Sequence, residues 1–395
     1  LPETTLAGAV PHSARRPVPD LSHEQASDPA ETFSAREARR RSDAIRIARV
    51  VCITGVVYVH AWTGLDGHSL ELARGTPQEI LRWVLMEAFG RSAVPLLGLI
   101  SGWLVAGSGR TQEWRSHIAR KARTILLPMV LWNLIAIAFV SGAAMLLGLA
   151  APVPQSLGWV LQEVLIISHP PDINVQMPFL RDLFLCMVLA PLLVRMPTWS
   201  LALLALGAGA CHLLGLGPPV ILRASILMFF TLGIVARRAG LAERVPAWPL
   251  LPVVLPFAVL MPLHLYTAVG DVRPFDDAST AALDLAVRVA ASLAVWRLAW
   301  AVAGSRAAPV LHRIEPYMFF YFCAHLVLLW LFGPMIGQLT GKLGSPLYPL
   351  YLLAQPFLIL AAVVGIAQGL MRVAPRAAKV LSGGRLTRGA PGGAG

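Results

Sequence analysis

Residues 49–60 read RVVCITGVVYVH, ten uncharged and mostly apolar residues held between an arginine and a histidine. Such a stretch suits a bilayer, yet it carries an ionisable group at each end, and ionisable groups at membrane depth are costly enough to mark functional cavities. On a helix, eleven steps make about three turns, so Arg49 and His60 fall on nearly one face, about 16 Å apart along the axis. The helix then carries one polar stripe, a path running inward from Arg49 to His60 along a shared cavity. Taken singly, each has a plainer reading: Arg49 as a snorkelling arginine at the interface, His60 as a histidine hydrogen-bonded between helices.

The rest of the chain sets this helix among others. Of 395 residues, 56% are hydrophobic and 14% charged, with mean hydropathy +0.65, where a soluble domain carries about 25% charge. The expectation is an all-α, polytopic transmembrane bundle. Segments long and apolar enough to span number about ten, near 46–64, 83–106, 124–148, 179–196, 199–216, 220–237, 247–267, 281–304, 316–337 and 347–372. The seventh, with Pro249, Pro252, Pro256 and Pro262, is expected to start irregularly.

The net charge of +12 lies in short clusters beside these segments, not on a polar domain, so it reads as a topology signal and not as a nucleic-acid surface. Arg36 to Arg41, Arg110 to Arg123, Arg237 to Arg244, Arg306 and Arg313, and Arg376 to Arg388 fall in alternate connections, whereas the long connection 149–178 has no Lys or Arg. Both termini are therefore expected in the cytoplasm. The organisation is a disordered cytoplasmic tail over 1–44, a transmembrane domain over 45–374, and a basic flexible cytoplasmic tail over 375–395. The start of the chain lacks the pattern of a secretory signal. Cys52, Cys186, Cys211 and Cys323 lie in apolar runs without metal-ligand spacing and read as free thiols.

Two further stretches add chemistry. The second span contains AVPLLGLISGWLVAGS (93–108), and the basic connection after it ends in RKARTILLPMVLW (120–132). Arg120 and Arg123, three apart where a helix begins, would share a face and can grip a phosphate; the plainer reading is anchoring at the cytoplasmic surface. In combination, Arg49-x10-His60, SGWL at 101–104 and Arg120-x-x-Arg123 before ILLP resemble membrane acyltransferase family 3, the integral membrane O-acyltransferases of bacterial envelopes. PFLRDLFLCMVLAPLL (178–193), FFTLGIVARR (229–238) and EPYMFFYFCAHLVLL (315–329) fit the family in the same order, so the resemblance covers roughly 46–370.

The resemblance implies a multi-pass enzyme of the bacterial cytoplasmic (inner) membrane. It would move an acyl group, acetyl foremost, from cytoplasmic acyl-CoA to a hydroxyl of a glycan on the outer side, with no metal. Carried over by position, His60 is the catalytic residue, and Arg49, Arg120 and Arg123 hold the donor. A neutral imidazole can take the proton of an attacking alcohol, while arginines suit the phosphates of CoA. Direct transfer and an acyl-histidine intermediate are both open. So is a register one turn earlier, in which the pair Asp43 and Arg46 makes Arg46 the functional arginine. A secondary transporter, or a polysaccharide-export protein using a His/Arg-lined cavity for passage, is the alternative class. Gly98 stands three residues before Ser101, which excludes the Gly-x-Ser of a rhomboid protease. Arg181, Asp182 and His325 read as structural, and Glu87 and Glu163 as interfacial.

Overall fold

The structure is a computed structural model and describes residues 29–217, 220–269 and 277–386. The chain divides into two units, one ending at Arg39 and one running from Arg40 onward; everything below concerns the second unless stated. No strand occurs among the described residues.

Ten principal helices follow in order: α1 (Pro29–Val59), α2 (Pro77–Ala106), α3 (Trp114–Leu147), α4 (Pro178–Leu193), α5 (Thr198–Leu213), α6 (Ala224–Arg238), α7 (Leu250–Val269), α8 (Asp277–Val302), α9 (Ala308–Thr340) and α10 (Tyr348–Val373). Each of the ten apolar segments thus forms a helix. Six, namely α2, α3, α7, α8, α9 and α10, are long and apolar enough to cross a membrane. A seventh is reached if α6 and the short helix Leu241–Ala247, bent by 79°, are one span. At the seventh segment the short helix Leu241–Ala247 ends before Trp248 and Pro249, and α7 starts at Leu250 and continues as one helix through Pro256 and Pro262.

Two boundaries differ from expectation. Helix α1 begins at Pro29, so 29–44 is not disordered; the stretch is rich in Ala, Glu and Arg, all strong helix formers. Residues 1–28 lie outside the described residues. At the other end, 375–386 is folded: α11 (Pro375–Leu381) is followed by a turn whose Leu386 is buried. The remainder of the expected basic tail also lies outside the described residues.

Glycine lets helices approach closely. A Cβ on Gly102 of α2 would stand 1.9 Å from the Phe230 carbonyl oxygen of α6, and one on Gly233 would stand 2.2 Å from that of Leu99. This reciprocal contact is the small-residue packing that membrane helices use where apolar burial gives little drive for association. The middle of α9, Met318 to Leu329, is buried on every face, as an all-round apolar helix at the centre of a bundle must be. The functional residues gather around it.

Candidate active site

Helix α1 delivers Arg49 and His60 to the same side of the bundle, but not to one cavity. His60 follows the last helical residue, Val59, and its amide still donates to the carbonyls of Val56 and Val57 at 3.3 and 3.2 Å. Its ring faces a cavity of about 270 Å³ lined also by Glu87, Arg91, Gln176, Arg223 and Arg288. Arg49 lines a second cavity of about 160 Å³ with Ser101, Lys121, Glu315 and Arg385. Phe179 of α4 and Phe322 of α9 line both, with ring centres 5.8 Å apart. Arg49 and His60 thus line two neighbouring chambers that share Phe179 and Phe322. Helical periodicity fixes a shared face, but it is blind to side chains from other helices.

The loop after His60 is held unusually tightly. Buried Gln355 of α10 accepts from the Trp62 amide at 2.8 Å and donates to the Trp62 carbonyl at 3.0 Å; Tyr348 donates its hydroxyl to the same carbonyl at 3.1 Å. The Trp62 ring fills a groove on α9 made by Gly333 and Gly337, where added Cβ atoms would meet it at 2.6 and 2.1 Å. On α1 itself, Gly55 lies against the Phe89 carbonyl so closely that a Cβ would stand 2.0 Å away.

His325 of α9 faces His60 with ring centres 5.6 Å apart. Its Nδ1 is 2.7 Å from the Phe322 carbonyl, which makes Nδ1 the donor and leaves Nε2 an acceptor. Nε2 has no hydrogen-bond partner among the described residues. The expected structural histidine is thus satisfied on one nitrogen only.

Charge in the His60 chamber is mostly paired. Arg91 meets Glu87 at 2.5 Å and Asp284 at 2.6 Å, and Arg288 meets Asp284 at 2.6 Å. His264 stands 3.2 Å from Glu87. Glu87, expected at an interface, is fully buried inside this network. Arg223 is the exception, with no carboxylate within salt-bridge distance among the described residues. Its backbone is fixed instead: buried Asp182 accepts from the amides of Leu222 and Arg223 at 3.2 and 2.9 Å and pairs with Arg181 at 2.7 Å. Asp182 thus fixes the backbone of Arg223. Glu163 likewise accepts from the amides of Asp172 and Ile173. Gln176, also buried, has no hydrogen-bond partner on either amide atom among the described residues.

In the other chamber Arg49 pairs with Glu315 at 3.1 Å. Arg46, the alternative of the earlier register, is exposed and reaches only Asp43, at 4.0 Å. Arg120 and Arg123 do not line one cavity. A π-helical turn over Ala122–Leu126 widens the spacing, leaving Arg123 exposed and Arg120 on a third cavity, of about 280 Å³, with Ser108, Arg110 and Lys121. Lys121 belongs to both basic cavities and joins them. Lys121, Glu315, Gln176, Gln355 and Arg385 were not singled out by the sequence as site residues. Among the described residues no three His, Cys, Asp or Glu side chains stand together as metal ligands.

Residues 42–370 match a family model described as an acyltransferase domain. The chain is 28% identical over 362 residues to the succinoglycan biosynthesis protein ExoH of Rhizobium meliloti (strain 1021), a match covering 86% of this chain and 92% of that protein. No solved structure matches.

Proposed function

The chain belongs to the acyltransferase-domain family and is an O-acyltransferase, and on that premise we propose that it carries an acyl group, acetyl foremost, from cytoplasmic acyl-CoA to a hydroxyl of an envelope polysaccharide on the outer side of the bacterial cytoplasmic membrane. The similarity to a succinoglycan biosynthesis protein supports a polysaccharide acceptor. The observation that carries the reading is the pair of adjoining chambers, one basic and holding Arg49, the other holding His60, with Phe179 and Phe322 lining both.

In this reading the chain spans the membrane ten times, with both termini in the cytoplasm. To the six long apolar helices and the bent α6 pair it adds α1, whose middle carries Asp43, Arg46 and Arg49, and the shorter α4 and α5, of 16 residues each. The basic chamber then opens on the side of the Arg-rich connections. CoA lays its phosphates against Arg49 and Lys121, with Arg120 beside them, as charge-assisted hydrogen bonds favour. Its pantetheine arm carries the thioester past Phe179 and Phe322 to His60.

There the acceptor hydroxyl gives its proton to His60 as its oxygen attacks the thioester carbonyl carbon. The C–S bond breaks, and the departing thiolate takes the proton back from the imidazolium. Arg223 and Gln176 supply donors for the oxyanion that forms between these steps. An acyl-histidine route places the same residue at the reacting carbonyl.

The test is His60→Ala in purified protein with labelled acetyl-CoA and an envelope polysaccharide. Transfer should fall by ~10² to 10⁴, the usual contribution of a positioned acid–base group, while CoA binding persists. Transfer near the wild-type rate would overturn the reading.

A further inference from the structure

The segment after α11 reads Ser382-Gly383-Gly384-Arg385-Leu386. Two consecutive glycines adopt left-handed backbone, with φ of +61° and +84°, which other residues seldom adopt. Gly383 presses on the start of α3 so closely that a Cβ would stand 2.4 Å from the Thr124 carbonyl oxygen. The turn is tied further by the Ser382 hydroxyl, which accepts from the Leu386 amide at 3.0 Å, and by Trp132, which donates to the Leu381 carbonyl at 3.1 Å. Leu386 is buried behind it. These constraints do one thing in common: they turn Arg385 back into the Arg49 chamber.

Inside the chamber the Arg385 guanidinium stacks on the Phe319 ring at 4.1 Å, and its Nη1 donates to the Ser382 carbonyl at 3.2 Å. It makes no ion pair among the described residues. Crowding by protein, with Arg49 nearby, brings its pKa down to about 10, which still leaves it charged at neutral pH. The chamber therefore presents Arg49, Lys121 and Arg385 against the single carboxylate of Glu315, a surplus of two positive charges. Burying like charges together is costly unless an anion offsets them.

We propose that Arg385, delivered by the Ser382–Leu386 turn, is a further binding residue for the phosphates of the acyl donor, so that the segment beyond the last span is part of the donor site. This rests on the acyl-CoA reading above. A planar guanidinium already stacked on an aromatic ring is preorganised for two-point binding of phosphate oxygens.

The experiment measures binding of CoA and of pantetheine, which lacks the phosphates, to full-length purified protein. Variants are Arg385→Gln, Arg385→Lys and Gly383→Val, the last displacing the turn and the guanidinium together, since a Cβ at 383 would stand 2.4 Å from the Thr124 carbonyl oxygen and 2.6 Å from Arg385 Nη1. The wild type should bind CoA well above pantetheine. Arg385→Gln and Gly383→Val should each bind CoA roughly tenfold more weakly, the loss expected for a charged hydrogen bond, with pantetheine unchanged and Arg385→Lys between them and wild type. Equal loss for both ligands would mark a structural role only and overturn the proposal, as would unchanged CoA binding in Arg385→Gln. A wild type that does not distinguish CoA from pantetheine would instead overturn the donor reading, and this proposal with it.

Discussion

The two chambers on either side of Phe179 and Phe322 are built by opposite means. Around His60 the backbone is held by buried groups with little freedom: an amide clamp from Gln355, an indole set in a glycine groove, and a glycine pressed on a carbonyl. Around Arg49 a largely apolar wall carries three long cationic side chains, from α1, α3 and the segment after α11, with Glu315 the only carboxylate among the described lining residues. A reacting imidazole must be placed within a fraction of an ångström, whereas a polyanionic donor needs charge more than exact geometry. The difference predicts that substitutions behind His60 lower transfer without weakening donor binding, and that substitutions around Arg49 do the reverse.

Among substitutions outside the two chambers themselves, the largest effect should come from Gly337→Val. A Cβ there would stand 2.1 Å from the Trp62 ring, and Val adds two methyl groups beyond it. Trp62 must leave its groove, and His60, two residues earlier, moves with it. A misplacement of about 1 Å costs on the order of 10² in rate, so transfer should fall by about that factor in an assay with labelled acetyl-CoA while CoA affinity stays near wild type. Loss of CoA binding to the same degree would show that the two chambers are not independent.

Why sequence reasoning saw only part of this follows from where the partners lie. The alignment of Arg49 and His60 along α1 was legible because His60 directly follows its last residue, and a period of 3.6 residues is a local property. The helices themselves were legible for the same reason, as runs of apolar residues. Gln355 clamps Trp62 from 293 positions away, and Glu315 reaches Arg49 from 266; no periodicity links such residues. Arg120 and Arg123 stand in different surroundings, with a π-helical turn beginning between them, which no local spacing rule foresees. Arg385 had a readable sign in its Ser-Gly-Gly-Arg turn, but charge alone assigned it to a basic tail.

A smaller effect tests the clamp. In Gln355→Leu the Trp62 amide loses its acceptor inside the bundle, while its carbonyl keeps the Tyr348 hydroxyl at 3.1 Å. One unsatisfied buried donor costs about 1–3 kcal/mol, so the protein should melt at a lower temperature and transfer should decline less than in Gly337→Val. Donor affinity should not change. A normal melting temperature would show that the loop is held by the Trp62 ring alone, and would move the explanation of His60 placement entirely to the glycine groove.

The smallest effect is the one that separates the two registers of α1. Arg46 and Arg49 are three residues apart, and each has an acidic neighbour, but their situations differ. Arg46 is exposed and meets Asp43 only at 4.0 Å, a surface pair of the kind that contributes little. Arg49 meets Glu315 at 3.1 Å and lines the basic chamber. If the donor lies in that chamber, Arg49→Ala should weaken CoA binding roughly tenfold by loss of a charged hydrogen bond. Arg46→Ala should leave it within about twofold, as expected for a solvated surface charge. Measured side by side by titration with CoA, the reverse order would move the donor out of the chamber and onto the exposed face of α1. The basic character of the chamber would then need another anion to explain it.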